Sequence, residues 1–179
     1  MKEVLISIQP KWCAKIASGK KTIEVRKTAP KIATPFKAYI YCTKGNPSDP
    51  HQRLETHASD GNVHLANGTV FAEFICDGIV PISVKYSNPE HRIALREFPF
   101  TCLTDKQIMD YLGNGKEGYG WHISNLVIYN EPKPLGNFIR CHYPWDCGCC
   151  DYFESLDMSC NKPKRPPQSW CYVEELYDA

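Results

Sequence analysis

The chain has 179 residues, 42% hydrophobic and 23% charged, with a formal net charge of +1. That composition suits one globular domain with its own core and excludes a wholly disordered chain. No apolar run reaches the roughly 18 residues of a membrane span, and the start, MKEVLISIQPKW, lacks the basic-then-apolar pattern of an export signal, so a cytoplasmic protein is expected.

In chain order, Val4–Ile8 alternates and is β-branched, which predicts a strand. Gln9-Pro10 breaks it, and Pro10 suits the first turn of a helix that carries Trp12, Cys13, Ile16 and Ala17 on one face. Gly19 suits the left-handed cap of that helix. Thr22–Lys27 reads as a second strand, with Ile23 and Val25 on one side and Thr22, Glu24 and Arg26 on the other. Phe36–Thr43 reads as a third. Residues 44–68, rich in Gly, Asn, Asp, Ser and His, are expected to be a long loop or insertion. Thr69–Ile82 predicts a long strand bent at Gly78. Thr104 is placed to cap a short helix, Asp105–Leu112, which Gly113 ends. Gly118–Tyr129 ends in another strand, Glu131–Leu135 is a proline-rich turn, and Phe138 to Tyr143 is extended. Ser169–Leu176 predicts the last strand. Strands dominate, with two or three short helices, so the class is α+β, mainly β.

Charge is unevenly spread. Residues 1–37 hold nine lysines and arginines against two acids, a local +7 that leaves −6 for the remainder. Such asymmetry suggests a site for an anion, with phosphate the commonest candidate; the plain alternative is a solvated lysine-rich face. Within it, Gly19-Lys20-Lys21-Thr22-Ile23-Glu24-Val25-Arg26 places a flexible ammonium directly after a turn, then a carboxylate and a guanidinium two residues apart on one strand face. Arginine offers a planar fork to phosphate or carboxylate, and Glu24 is able to accept a base amino group or activate a water. Strict alternation puts Lys21 opposite Glu24, so the two converge only if the strand bends at its start. A Glu24–Arg26 salt bridge with both lysines solvated is the structural alternative.

This stretch matches G-x-K-x-x-E-x-R, the signature of the ASCH family, which is similar in fold to PUA domains. Gln9, Pro10 and Trp12 ahead of the motif, Gly118–Ile123 (GYGWHI) and the later Pro132, Pro134, Leu135 and Phe138 also resemble that family's pattern, over about residues 3–140. The resemblance implies a small PUA-like β-barrel flanked by short helices, in a domain over 1–140 with the insertion at about 44–68. Residues 141–179 are then a cysteine-rich extension packing on the same domain. It also implies a cleft lined by the motif residues. Some ASCH members are amidohydrolases of N4-acetylcytidine using Lys, Thr and Glu; others are ribonucleases or RNA-binding domains. Lys21 matches that Lys, whereas the Thr position is Glu24 here. Thr22 offers a nearby hydroxyl, and Glu117 lies in the general region of the family's Glu.

The expected function is therefore binding of RNA, or of a nucleoside or nucleotide, in a basic cleft. Lys20 and Arg26 join Lys21 as phosphate-holding groups, and Trp12, Tyr119 and Trp121 are candidates to stack a base, with Trp12 and Trp121 as core residues the plain alternative. The first alternative is a hydrolase in the same cleft using Lys21 and Glu24. The second is a non-catalytic protein-interaction module. His122 alternates with Trp121 and reads as structural.

Ten cysteines is a high count, and six lie between Cys141 and Cys171. Without an export signal, free thiols or metal ligands are favoured over disulfides. Cys13, Cys42, Cys76 and Cys102 sit among apolar residues as small core groups. Cys147 and Cys150 form a C-x-x-C half-site, with Cys160 and Cys171 as the other candidate ligands of a structural zinc. No cofactor is otherwise required, no membrane partner is expected, and no protein partner is indicated.

Overall fold

The computed structural model describes residues 3–46, 48–83, 99–113, 116–140 and 163–175. These divide into two compact units: Met1–Cys13, Lys37–Glu73 and Val127–Ala179 form the first, and Ala14–Phe36 and Phe74–Leu126 the second. Eleven strands and two α-helices are present among the described residues.

The strands are β1 (Glu3–Ile8), β2 (Ile23–Arg26), β3 (Phe36–Cys42), β4 (Glu55–His57), β5 (Val63–Leu65) and β6 (Val70–Cys76). They continue with β7 (Ile79–Ser83), β8 (Glu117–His122), β9 (Ser124–Lys133), β10 (Phe138–Arg140) and β11 (Trp170–Glu175). The helices are α1 (Pro10–Ala17) and α2 (Asp105–Leu112).

The first unit carries a six-stranded sheet ordered β10-β11-β1-β3-β6-β9. Its centre is a parallel pair, with Val4 opposite Ala38 and Ile6 opposite Ile40. A parallel pair needs a crossover rather than a hairpin, and residues 9–35 supply it. Val4, Leu5 and Ile6 are all 0% exposed, the continuous burial of a central strand covered on both faces. β11 pairs antiparallel with β1, Glu3 facing Val173, and also with β10. β11 is thus an interior strand of this sheet, between β10 and β1. The sheet curls around a core of Leu5, Tyr39, Tyr41, Val70, Phe138 and Val173. It curls far enough that Lys133 on β9 ion-pairs with Glu175 on β11, although three strands separate them in the sheet. Among the described residues the hydrogen-bonded order still ends at β10 and β9, so the barrel expected from the resemblance is represented by an open, curled sheet.

The expected loop at 44–68 contains a short antiparallel hairpin, β4 with β5, in register Thr56 to His64. Asn67 secures its base, accepting from Leu54 N and donating to the carbonyls of Lys44 and Gln52.

The second unit carries a three-stranded sheet ordered β2-β8-β7. The long strand expected over Thr69–Ile82 is two strands, β6 and β7, broken at Asp77-Gly78. α2 has the expected bounds. The Thr104 side chain accepts from Gln107 N, Gln107 returns a bond to the Thr104 backbone, and Gly113 closes the helix at φ 95°. Its Ile108 and Leu112 bury against Val25 and Ile82. Among the described residues no helix is long and apolar enough to cross a membrane.

Candidate functional site

The second unit brings Lys21, Glu24 and Arg26 into one buried ionic cluster. Lys21 lies ahead of β2, not in it. Gly19, at φ 71°, turns the chain out of α1, and the backbone N–H groups of Lys20 and Lys21 both donate to Lys15 O. Strand alternation therefore does not apply to Lys21. Its side chain folds alongside β2, and Nζ comes within 3.2 Å of Glu24 Oε2. The ammonium also donates to Ile23 O and Thr101 O, both at 2.7 Å. Arg26 Nη2 holds Glu24 Oε1 at 3.0 Å. Lys21 is 2% exposed, and Glu24 and Arg26 are each 6% exposed. One carboxylate thus bridges two cations inside the protein.

The sheet register places this cluster. Glu24 faces Trp121 and Arg26 faces Tyr119 across the β2–β8 pair, so the four side chains share one sheet face. Ile79 and Pro81 of β7 flank them. The opposite face is the apolar one packed on α2. Of the residues expected to bind a base or phosphate, Glu24, Arg26, Tyr119 and Trp121 are brought together here.

Their accessibility differs. Tyr119 is half-buried, while Trp121 is 0% exposed, its ring edge-on to Phe36 at 5.8 Å between centroids. Trp121 sits on the middle strand of its sheet and is a core residue; a base has no ring face of it to reach. Lys20 is exposed. Trp12, half-buried, belongs to the first unit, where Lys11 Nζ lies 4.8 Å over its ring. Glu117 is exposed at the start of β8, and Thr22 N donates to Phe100 O.

Sequence reasoning missed the segment Phe100–Cys102. Thr101 supplies a carbonyl to Lys21, and Cys102 Sγ donates to Lys20 O at 3.2 Å. It also missed the partner of His122, whose Nδ1 lies 2.6 Å from Asp77 Oδ1 with both groups about half exposed. The His122 ring beside Asp77 holds that carboxyl below its usual range.

Of the expected zinc ligands, Cys147, Cys150 and Cys160 lie outside the described residues. Cys171 is a partly buried thiol on β11, and burial pushes its pKa up. Among the described residues no group of three His, Cys, Asp or Glu side chains is placed to hold a metal.

No family model matches the sequence, and no curated protein matches it. Solved structures do. A tyrosine-to-phenylalanine variant of the ASCH protein from Zymomonas mobilis matches with a TM-score of 0.59 at 19% identity, over 97% of this chain and 91% of that one. The unmodified Zymomonas mobilis ASCH protein matches with a TM-score of 0.55 at 21% identity, over 97% and 88% of the two chains. A serine-to-alanine variant of it matches with a TM-score of 0.55 at 20% identity. Likeness at this level of identity is a statement about fold: the chain has the fold of the ASCH domain.

Proposed function

We propose that the chain binds RNA, or a nucleoside or nucleotide, at the β2–β8 face that carries Glu24, Arg26 and Tyr119. One observation carries this reading: a Lys21–Glu24–Arg26 cluster buried to 6% exposure or less beside a half-buried tyrosine. Burying three charges costs desolvation that apolar side chains of similar size avoid, so stability alone does not account for the cluster. A few convergent polar groups beside an aromatic ring are the kind of lining that ligand sites carry. Tyr119 is the accessible member of the face, where a base would stack and Arg26 would meet a phosphate or a base edge.

The same geometry supports binding over hydrolysis by Lys21. The ammonium donates to Ile23 O and Thr101 O and ion-pairs with Glu24 Oε2 at 3.2 Å. In this arrangement the Lys21 side chain is engaged on three sides and positions Glu24. Barrel closure and a reducing, cytoplasmic setting belong to the same proposal. So does a structural zinc on Cys147, Cys150, Cys160 and Cys171, which metal analysis of protein purified without chelator tests: about one zinc per chain supports it and none removes it.

The test of the function is calorimetric titration with short single-stranded RNA and with mononucleotides, using wild type and Arg26→Gln in parallel. Binding by wild type that Arg26→Gln weakens at least tenfold, with the variant's unfolding midpoint recorded alongside, is the expected result. Equal affinity of the two proteins for every ligand removes the proposed site.

A further inference from the structure

Lys21 is 2% exposed and Glu24 and Arg26 are each 6% exposed, so a ligand reaches the cluster only when something beside it moves. The strands around it are held by ladders: β8 pairs with β2 on one side and with β7 on the other. A further neighbour is held by side-chain and single backbone bonds instead. Pro99–Thr101 is a 3-10 turn. Its Thr101, 2% exposed, accepts from the Lys21 ammonium at 2.7 Å through its carbonyl, a contact across 80 positions of the chain.

The turn is tied to the stretch ahead of β2 at two more points. Thr22 N donates to Phe100 O at 3.0 Å, and Cys102 Sγ, a weak donor, to Lys20 O at 3.2 Å. Inside the segment, Leu103 N donates to Thr101 Oγ1 at 3.2 Å. Two features work against this closed position. Phe100 is 55% exposed, so the largest apolar side chain of the turn adds little packing. Cys102 holds φ 57°, in the left-handed region that residues with a Cβ seldom take. Sparse packing and a strained backbone mark a segment that opens locally more easily than a strand ladder does.

We infer that Pro99–Cys102 is a strap, hinged at Cys102, that an anionic ligand displaces: a ligand oxygen takes the place of Thr101 O on the Lys21 ammonium. The inference rests on the proposed function and says how that site is reached. A bond from an ammonium to an anionic oxygen is stronger than one to a neutral carbonyl. Lys21 keeps Ile23 O and Glu24 throughout, so the exchange leaves no buried ammonium proton stranded. A phosphate or phosphodiester oxygen supplies the chemistry; an uncharged nucleoside does not.

The test is amide hydrogen exchange, read by NMR on the full chain, with uridine 5′-monophosphate (UMP) as probe and uridine as its uncharged control. Thr22 N reports the strap because it bonds to Phe100 O; Ile123 N, which donates to Thr22 O, reports the sheet beside it. Corrected for intrinsic rates, Thr22 should exchange at least about tenfold faster than Ile123. Cys102→Val puts a β-branched residue at the positive φ and removes the thiol donor, while Thr101→Val removes the acceptor of Leu103 N. Each should speed Thr22 exchange, Cys102→Val by about fivefold or more, and leave Ile123 as it is. Each should also tighten UMP binding by the same factor, because a rare open state lowers apparent affinity by its own population. UMP should speed Thr22 exchange to a plateau, and uridine should not. Thr22 as well protected as Ile123, variants that speed Thr22 without tightening UMP binding, or uridine acting as UMP does, would each overturn the strap and leave the proposed function standing. No binding of UMP by any of the three proteins also overturns the strap; no binding of oligouridylate either overturns the proposed function with it.

Discussion

Replacing Lys21 by Met should cost this protein a large share of its stability. The methionine keeps most of the stem volume but removes the ammonium. Two buried carbonyls, Ile23 O and Thr101 O, lose their donor, and Glu24 loses the cation 3.2 Å from Oε2. Removing one partner of a buried ion pair typically costs about 3–5 kcal/mol, because the remaining charge stays buried without compensation. Against a total stability of about 5–15 kcal/mol, that is a third or more. For a chain of this size it corresponds to a fall in Tm of roughly 6–20 °C. The assay is urea unfolding followed by far-ultraviolet circular dichroism and tryptophan fluorescence. The triple variant Lys21→Met, Glu24→Leu, Arg26→Met is its control, since it removes the stranded charge together with its partners and should recover much of the loss. A single variant within about 1 kcal/mol of wild type, or a triple variant less stable than the single one, would refute the claim that the cluster is a buried, coupled unit.

Other consequences follow from the same packing. A methyl group on Gly118 would lie 2.4 Å from Leu112 Cδ2 and 3.0 Å from Arg26 O. Gly118→Ala should therefore destabilise by about 1–3 kcal/mol, read as a lower urea midpoint with an unchanged slope. Thr104→Ala removes one half of the α2 capping box and should cost about 1 kcal/mol, which Thr104→Ser should largely restore. Burial pushes the Cys76 thiol up from 9.0 to about 11. The folded protein then holds that proton more tightly than the unfolded chain does. Its contribution is complete below pH 9 and is lost as pH rises from 9 towards about 11. Mass-spectrometric mapping of iodoacetamide labelling at pH 8 should find Cys76 far slower than the partly exposed Cys102. Equal rates would contradict the burial.

The sequence carried the local elements well where the signals are backbone chemistry. Thr104, Gln107 and Gly113 delimit α2 in the sequence because caps depend on residues within four positions of the helix end. β1 and β11 were legible because β-branched and aromatic runs mark strands packed into a sheet. Residues 44–68 read as loop because Glu55–His57 and Val63–Leu65 are three-residue strands with almost no apolar pattern, and only their pairing and Asn67 reveal the hairpin. Gly78 suggested a bend, while the following Ile79–Ser83 pairs with β8 as a separate strand. At the candidate site, Glu24 and Arg26 were legible as one face by period two. Alternation alone left Lys21 opposite Glu24 and required a bend at the start of the strand for the two to meet; the turn at Gly19 and the distant carbonyl of Thr101 decide where its side chain goes. Residue type alone left Trp121 as either a stacking or a core residue. Its burial follows from β8 being the middle strand, a tertiary fact that no short pattern contains.

The most direct measurement is a two-dimensional NMR titration of the isotope-labelled chain with a short single-stranded RNA at low salt. The account predicts saturable shift changes at Arg26 and Tyr119, while the hairpin at Glu55–Leu65 stays unchanged. Saturable changes confined to surfaces away from β2 and β8, or none at all, would contradict it.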